Sequence, residues 1–152
     1  MKIEFKENKT IVYLYRYHLS FDNLEKLNKE IKSIFLKLIK TYHLELMGYM
    51  KVEVYCNDIY GCVLEIESLY NELELETIDL KLVINNDCDF YFKTSDYSLL
   101  ENKKIVYYDN KNFYINIKEF NDLIKIIEFG DIIYNFDKKN YQKLDFNNFK
   151  MF

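Results

Sequence analysis

One stretch, from Phe21 to Tyr42, constrains the fold more than any other part of the chain. Its apolar residues recur every three or four positions and therefore share one face of a helix, while lysines and glutamates fill the other face. We predict a long amphipathic helix packed on one face of a sheet, with a side-chain oxygen of Ser20 or Asp22 capping its first turn. His43, just past the helix, is predicted to be a cap favoured by the helix dipole rather than a catalytic residue. The apolar positions are Phe21, Leu24, Leu27, Ile31, Ile34, Phe35, Leu38, Ile39 and Tyr42.

Most of the remaining first half alternates between apolar and polar residues, a pattern typical of half-buried strands. Lys2–Phe5 and Thr10–His18 predict an opening hairpin, and Tyr49–Cys56 with Gly61–Glu67 predict a second one. The loop of the second hairpin ends at Gly61, which is free to take a positive φ angle. The residues predicted to face inward are Met50, Val52, Val54, Cys56, Cys62, Leu64 and Ile66.

The second half predicts shorter elements in the order β, short α, β, β, α, β, which is the order of a ferredoxin-like plait. Its second helix is expected to end at Gly130, because a glycine readily takes the left-handed conformation that closes a helix. The predicted elements are a strand at Cys88–Lys93, a short helix or turn at Ser95–Glu101, a hairpin of Lys104–Tyr108 with Phe113–Ile117, a helix at Glu119–Phe129 and a strand at Asp131–Phe136.

Together these patterns predict an α+β fold, mainly antiparallel, in a single compact domain spanning residues 1–152. The apolar register changes near Thr77, so two small lobes, 1–77 and 78–136, are the alternative. Residues 137–152 form a tail rich in lysines and aromatic residues. We expect this tail to pack back onto the domain as a final turn of helix or as irregular cover.

Composition narrows the classes of function. The formal net charge of −4 argues against a dedicated nucleic-acid-binding protein, which would need clustered Lys and Arg. The chain starts without the apolar core of a signal peptide and contains no run long enough to span a membrane, so we expect a cytoplasmic protein. Three cysteines suit a reducing compartment, where thiols persist.

Motifs of catalysis and cofactor binding are not found in the sequence. Its three glycines already serve turns or caps, which excludes phosphate-cradling loops and the dinucleotide fingerprint, and we expect no cofactor. Cys56, Cys62, Cys88 and His43 are of the ligand types that zinc accepts, but their spacing matches no standard zinc site. We therefore predict that the cysteines are small apolar residues of the interior.

Aromatic residues on the faces opposite the predicted core are the remaining signal. Tyrosine is favoured at protein interfaces, because it buries a large area at low entropic cost. Three alternatives remain open for these side chains: they cover a second layer, they stack on bases, or they reflect the composition of an AT-rich genome. Tyr91 shares this outward pattern, and the candidate partner-binding residues are Tyr49, Tyr55, Tyr108, Tyr114, Tyr141, Phe146 and Phe149.

The chain resembles MecA-type adaptor proteins in the layout of four segments, which are Met1–Leu14, Phe90–Lys93, Ile105–Ile115 and Leu123–Gly130. Those proteins have a small N-terminal domain and a C-terminal α/β domain with a comparable order of strands and helices. This chain lacks their long acidic linker and much of their length. The resemblance implies a non-catalytic adaptor in regulated proteolysis.

The leading functional hypothesis is a non-enzymatic cytoplasmic module for protein–protein interaction, of adaptor or regulatory type, with a partner protein of unknown identity. A small-molecule-binding protein or enzyme, with a pocket lined by Tyr, Cys56, Cys62 and His43, is the second hypothesis. A single-stranded nucleic-acid binder is the third. A homo-oligomer is a further alternative, and we expect no contact with a membrane.

Overall fold

The computed structural model describes residues 1–70, 78–121, 124 and 131–145. The chain divides into two compact units, Met1–Asn86 and Asp87–Phe152. Each unit contains a five-stranded sheet, and the first also contains a long α-helix, so the predicted α+β class with mainly antiparallel sheets is confirmed. The division follows Asn86 rather than Thr77, because the strand after Thr77 pairs with a strand of the first unit.

The first unit is built on one sheet with the strand order β1-β2-β4-β3-β5. All neighbours in it are antiparallel except β3 and β5, which run parallel. Both predicted hairpins, β1 with β2 and β3 with β4, are confirmed. The elements are β1 (Lys2–Lys6), β2 (Lys9–Tyr15), α1 (Leu24–Tyr42), β3 (Gly48–Asn57), β4 (Gly61–Tyr70) and β5 (Ile78–Asn85).

Helix α1 begins at Leu24, later than predicted, and its cap is Asn23. The Oδ1 atom of Asn23 accepts hydrogen bonds from the backbone N–H groups of Glu25 at 2.8 Å and Lys26 at 3.4 Å. The prediction of Ser20 or Asp22 as the cap is therefore wrong. These two side chains instead share a hydrogen bond 3.5 Å long.

The C-terminal end of α1 confirms that His43 is a cap. This residue takes the left-handed conformation, with φ 56°, and its backbone N–H donates to the carbonyl of Ile39 at 3.0 Å. The cap is therefore made by the backbone, which satisfies a carbonyl group that the last turn leaves open.

The hydrophobic core of the first unit contains the buried face of α1 together with residues of the strands. All seven residues predicted to face inward from β3 and β4 belong to this cluster, so their alternation is confirmed. The buried residues of the helix are Leu27, Ile31, Ile34, Phe35 and Leu38.

The second unit contains an antiparallel sheet with the order β10-β7-β8-β6-β9. The predicted hairpin of β7 and β8 is confirmed, and the predicted short helix after β6 is a 3₁₀ turn at Tyr97–Leu100. Two more such turns, Ile117–Glu119 and Lys138–Asn140, follow β8 and precede β10. The strands are β6 (Tyr91–Thr94), β7 (Ile105–Tyr108), β8 (Phe113–Asn116), β9 (Asp131–Ile133) and β10 (Gln142–Asp145).

Two predictions for this half need correction. Glu119 closes a 3₁₀ turn and Phe120 is extended, so the predicted helix does not start at Glu119. Ile124, within the predicted span, is α-helical, and most of the remaining span with its terminal Gly130 lies outside the described residues. The first part of the tail contains the 3₁₀ turn Lys138–Asn140, but it continues as strand β10, which pairs with β7 and was not predicted. Residues 146–152, with Phe146 and Phe149, also lie outside the described residues.

Candidate functional site

The outer edge of β5 is the first candidate site. This strand pairs with β3 from Ile78 to Asn85, and within the described residues no other strand lies on its far side. Its only charged residues are Asp79 and Lys81, so the half that follows, Leu82–Asn85, has no charge and is partly exposed. An edge strand offers a row of backbone hydrogen-bonding groups to any extended chain that can reach it.

The opposite edge of the same sheet, β1, is protected by charge. Lys2, Glu4 and Lys6 alternate with Ile3, which packs against the hydrophobic cluster, so they share the other face of β1. The Nζ atoms of the two lysines lie 3.0 and 3.8 Å from carboxylate oxygens of Glu4. Charged side chains along an edge strand discourage pairing with another chain, because pairing would desolvate them. The two edges therefore differ in charge, with three charged residues besides Phe5 and Ile3 in β1 and two among the eight residues of β5.

An aromatic cluster covers one face of the sheet in the second unit. Tyr91, Tyr107 and Tyr114 come from β6, β7 and β8 and are buried together, with Phe136 and Tyr141 packed against them. The ring of Phe136 lies 4.2 Å from that of Tyr91 and stacks on that of Tyr141 at 4.4 Å. The prediction that Tyr91 and Tyr114 face solvent is wrong, since they are 3% and 4% exposed. They cover a second layer, one of the alternatives that the sequence left open.

The phenol of Tyr114 is held in place by Asp109. Its hydroxyl group donates a hydrogen bond to Asp109 Oδ2 at 2.7 Å. Burial of the ring, followed by this hydrogen bond, raises the pKa of Tyr114 above its usual value. The tyrosine is therefore a neutral donor at physiological pH.

A cavity of about 210 Å³ lies beside the aromatic cluster in the second unit. Two lysines at its wall, Lys118 and Lys138, have their Nζ atoms 3.8 and 4.0 Å from the two carboxylate oxygens of Asp89. The neighbouring phenol of Tyr91 raises the pKa of Lys138, so this lysine is cationic over the physiological range. The wall thus combines tyrosine rings with both signs of charge. It is formed by Tyr91, Ile105, Tyr107, Asn116, Lys118, Glu119 and Lys138.

The other tyrosines named as partner-binding candidates are partly exposed and divide between the two units. Tyr49 and Tyr55 lie on β3, where the hydroxyl group of Tyr55 donates to Glu53 at 2.6 Å. Tyr108 and Tyr141 are brought together because β10, which begins just after Tyr141, pairs with β7. These two residues line a shallow hollow of about 320 Å³.

The structure places the residues considered for a metal site or a catalytic pocket in different surroundings. Cys56 and Cys62 belong to the hydrophobic cluster of the first unit, as predicted for apolar residues of the interior, while His43 is exposed at the end of α1. Within the described ranges, no three His, Cys, Asp or Glu side chains are placed to hold a metal ion together. The cavity of the second unit contains tyrosines, but neither these cysteines nor His43.

Sequence reasoning missed the lysines of the cavity and the edge of β5. The cavity draws Tyr91, Ile105, Lys118 and Lys138 from separate segments, and no local spacing connects them. Within the described parts of the chain, no helix combines the length and apolar character that crossing a membrane requires. Comparison with known proteins gives no match to any protein family, curated protein or solved structure.

Proposed function

We propose that the protein is a non-enzymatic interaction module of the cytoplasm that captures an extended segment of another protein at the edge of β5. The observation that carries this proposal is an eight-residue edge strand with only two charged residues, Asp79 and Lys81. In β-strand addition, backbone hydrogen bonds supply affinity and alternating side chains supply specificity.

The side chains of β5 define the chemistry of the partner segment. Ile78, Leu82 and Ile84 are partly buried and pack against the hydrophobic cluster of the first unit, so an added strand needs apolar residues at every second position to extend it. Asp79, Lys81 and Val83 alternate with them and share the other face. The intervening residues of the partner are therefore polar or of mixed charge.

This proposal includes an adaptor role, which is suggested by the layout that the chain shares with MecA-type proteins. The captured segment would then belong to a target protein.

We also assign a ferredoxin-like plait to the second unit. Its antiparallel neighbours β9-β6-β8-β7 support this assignment, with β10 added beside β7. The 3₁₀ turn at Tyr97–Leu100 then takes the place of the first helix.

Val83→Lys is expected to reduce capture of the partner about tenfold, because an incoming strand would have to desolvate the new ammonium group at the edge. Val83 is partly exposed and lies opposite Glu53 in the register of β3 and β5, so lysine is accommodated without burying a charge. The measurement is affinity capture from lysate of the source cells, with quantitative mass spectrometry of the proteins retained by each variant.

The matched control is Phe5→Lys, which adds the same charge to β1 at the other edge of the sheet, at a side chain that is 69% exposed. A partner held by wild type and Phe5→Lys but lost by Val83→Lys would support the proposal. Circular dichroism of both variants checks that they fold. Equal retention by all three proteins, or equal loss from both variants, would contradict capture at β5.

A second candidate function, binding of a small molecule, is favoured by the cavity of the second unit. Lys118 and Lys138 could bind a carboxylate, and Glu119 could bind an ammonium group. The ring of Tyr91 and the side chain of Ile105 could pack against an apolar side chain. The ligand class with these three parts is an amino acid or a similar zwitterion.

Lys138→Ala is expected to weaken binding of L-phenylalanine or L-leucine about tenfold, the loss of one charge-assisted hydrogen bond. Lys139→Ala is the matched control, because this adjacent lysine lines the hollow beside Tyr108 instead. The dissociation constant of each variant is measured by titrating it with the amino acid and following its NMR chemical shifts. Absence of saturable binding to the wild type would remove this candidate, as would an equal effect of the two substitutions.

A further inference from the structure

Two cysteine side chains meet inside the first unit. Cys56 of β3 and Cys62 of β4 are directly opposed in the register of the hairpin, and their Sγ atoms lie 3.2 Å apart. Opposed residues of antiparallel strands have Cα atoms about 4.5 or 5.5 Å apart, and both values fall within the roughly 4.4–6.8 Å range of disulfides. The strands are therefore already spaced for a disulfide bond.

Closing that bond requires little movement. An S–S bond is about 2.05 Å long, so the two sulfur atoms would have to approach by only about 1.1 Å, which side-chain rotation can supply. The loop between them holds the register, because Asn57 Oδ1 accepts hydrogen bonds from the N–H groups of Ile59 at 2.9 Å and Tyr60 at 3.0 Å. The pair is thus preorganised by the hairpin itself.

The two thiols differ in access and in acidity. Cys56 is 7% exposed and Cys62 is 1% exposed, so Cys56 is the more accessible of the two residues. In the reduced pair, the hydrogen bond between the two thiols lowers the pKa of Cys62.

We propose that Cys56 and Cys62 form a reversible oxidation site, which low-molecular-weight disulfides of the glutathione type convert into a disulfide between β3 and β4. The thiolate of Cys56 attacks one sulfur of the small disulfide, whose S–S bond breaks and releases one thiolate. The thiolate of Cys62 then attacks the Sγ of Cys56 and expels the second.

The reaction balances without any other reactant. The two protons lost by the cysteines end on the two released thiols, and the two electrons of the cysteine sulfurs reduce the small disulfide. The new bond closes only the short loop between Cys56 and Cys62, so the fold is retained. The oxidised form is expected to melt about 4 °C or more above the reduced form, since the bond restricts the unfolded chain.

The experiment equilibrates the full chain at neutral pH with mixtures of oxidised and reduced glutathione, followed by acid quenching, alkylation and mass spectrometry. The expected result is that Cys56 and Cys62 escape alkylation without carrying a glutathione adduct, and become open to alkylation again after treatment with a dithiol. Peptide mapping of the wild-type chain should place the disulfide bond between Cys56 and Cys62. The Cys88→Ser variant should behave in the same way, because it retains both members of the pair.

Three results would overturn the proposal. One is a persistent glutathione adduct of about 305 Da, which would show that the second thiol does not displace it. Another is a disulfide that includes Cys88. The third is failure of the folded chain to react in a buffer that oxidises the same chain in denaturant, because the thiols would then be closed to the reagent.

Discussion

Replacing Phe35 by alanine is expected to lower the free energy of unfolding by about 3–5 kcal/mol. Phe35 is among the largest fully buried side chains and lies on the core face of α1, in one cluster with Ile31, Leu38 and Met50. Truncation removes its transfer free energy and leaves a cavity that the close-packed neighbours fill only in part. Folded domains are stable by only about 5–15 kcal/mol, so this single change removes a large share of the total.

Urea unfolding followed by circular dichroism measures this loss. Leu36→Ala is the matched control, because Leu36 is the next residue of the same helix but is 60% exposed. Its removal is expected to change stability by no more than about 0.5 kcal/mol. If the two substitutions cost the same, α1 would not bury the face that the structure shows.

The success of sequence reasoning at α1 and at the hairpin of β3 and β4 has a local physical cause. In an amphipathic helix the apolar residues recur every three or four positions, and in a half-buried strand they recur every second position. Both spacings can be recognised within one segment, without knowing which other segments pack against it. The period of the helix correctly predicts that Ile34 and Phe35 are buried, while Ser33 before them and Lys37 after them are exposed. So was the positive φ of Gly61.

The cap of α1 shows where local information ends. Ser20, Asp22 and Asn23 all carry a side-chain oxygen suited to capping, so residue type does not choose among them. The choice depends on which residue has extended backbone geometry immediately before the first helical turn, as Asn23 does with φ −148° and ψ 121°. That geometry is set by the path of the chain from β2 into the helix.

The sites required information of longer range. The parallel pairing of β5 with β3 joins segments that are distant in the sequence, and among the described residues it leaves β5 at an edge of the sheet. In the second unit, Tyr91 and Tyr114 have the alternation of solvent-facing residues, but Phe136 and Tyr141 cover them. A period of two identifies two faces of a strand and cannot reveal a second layer above one of them.

Gly61→Ala is expected to destabilise the protein by about 2–4 kcal/mol, the second large effect. Gly61 has φ +124°, a conformation that L-residues with a side chain rarely adopt. An added Cβ atom would also overlap the carbonyl oxygen of Leu14 and lie 2.9 Å from the backbone nitrogens of Arg16 and Tyr17. These are backbone atoms at the end of β2, so no flexible side chain can move aside.

Relief of the clash requires the end of β2 to separate from the hairpin loop, where the N–H of Arg16 donates to the carbonyl of Tyr60 at 2.7 Å. Thermal and urea unfolding measure the cost, with Asp58→Ala as the control, since Asp58 is an exposed residue of the same loop. A melting temperature for Gly61→Ala equal to that of Asp58→Ala would refute the close approach. Because Gly61 directly precedes Cys62, the same displacement should slow closure of the disulfide with Cys56, while Asp58→Ala should leave its rate unchanged.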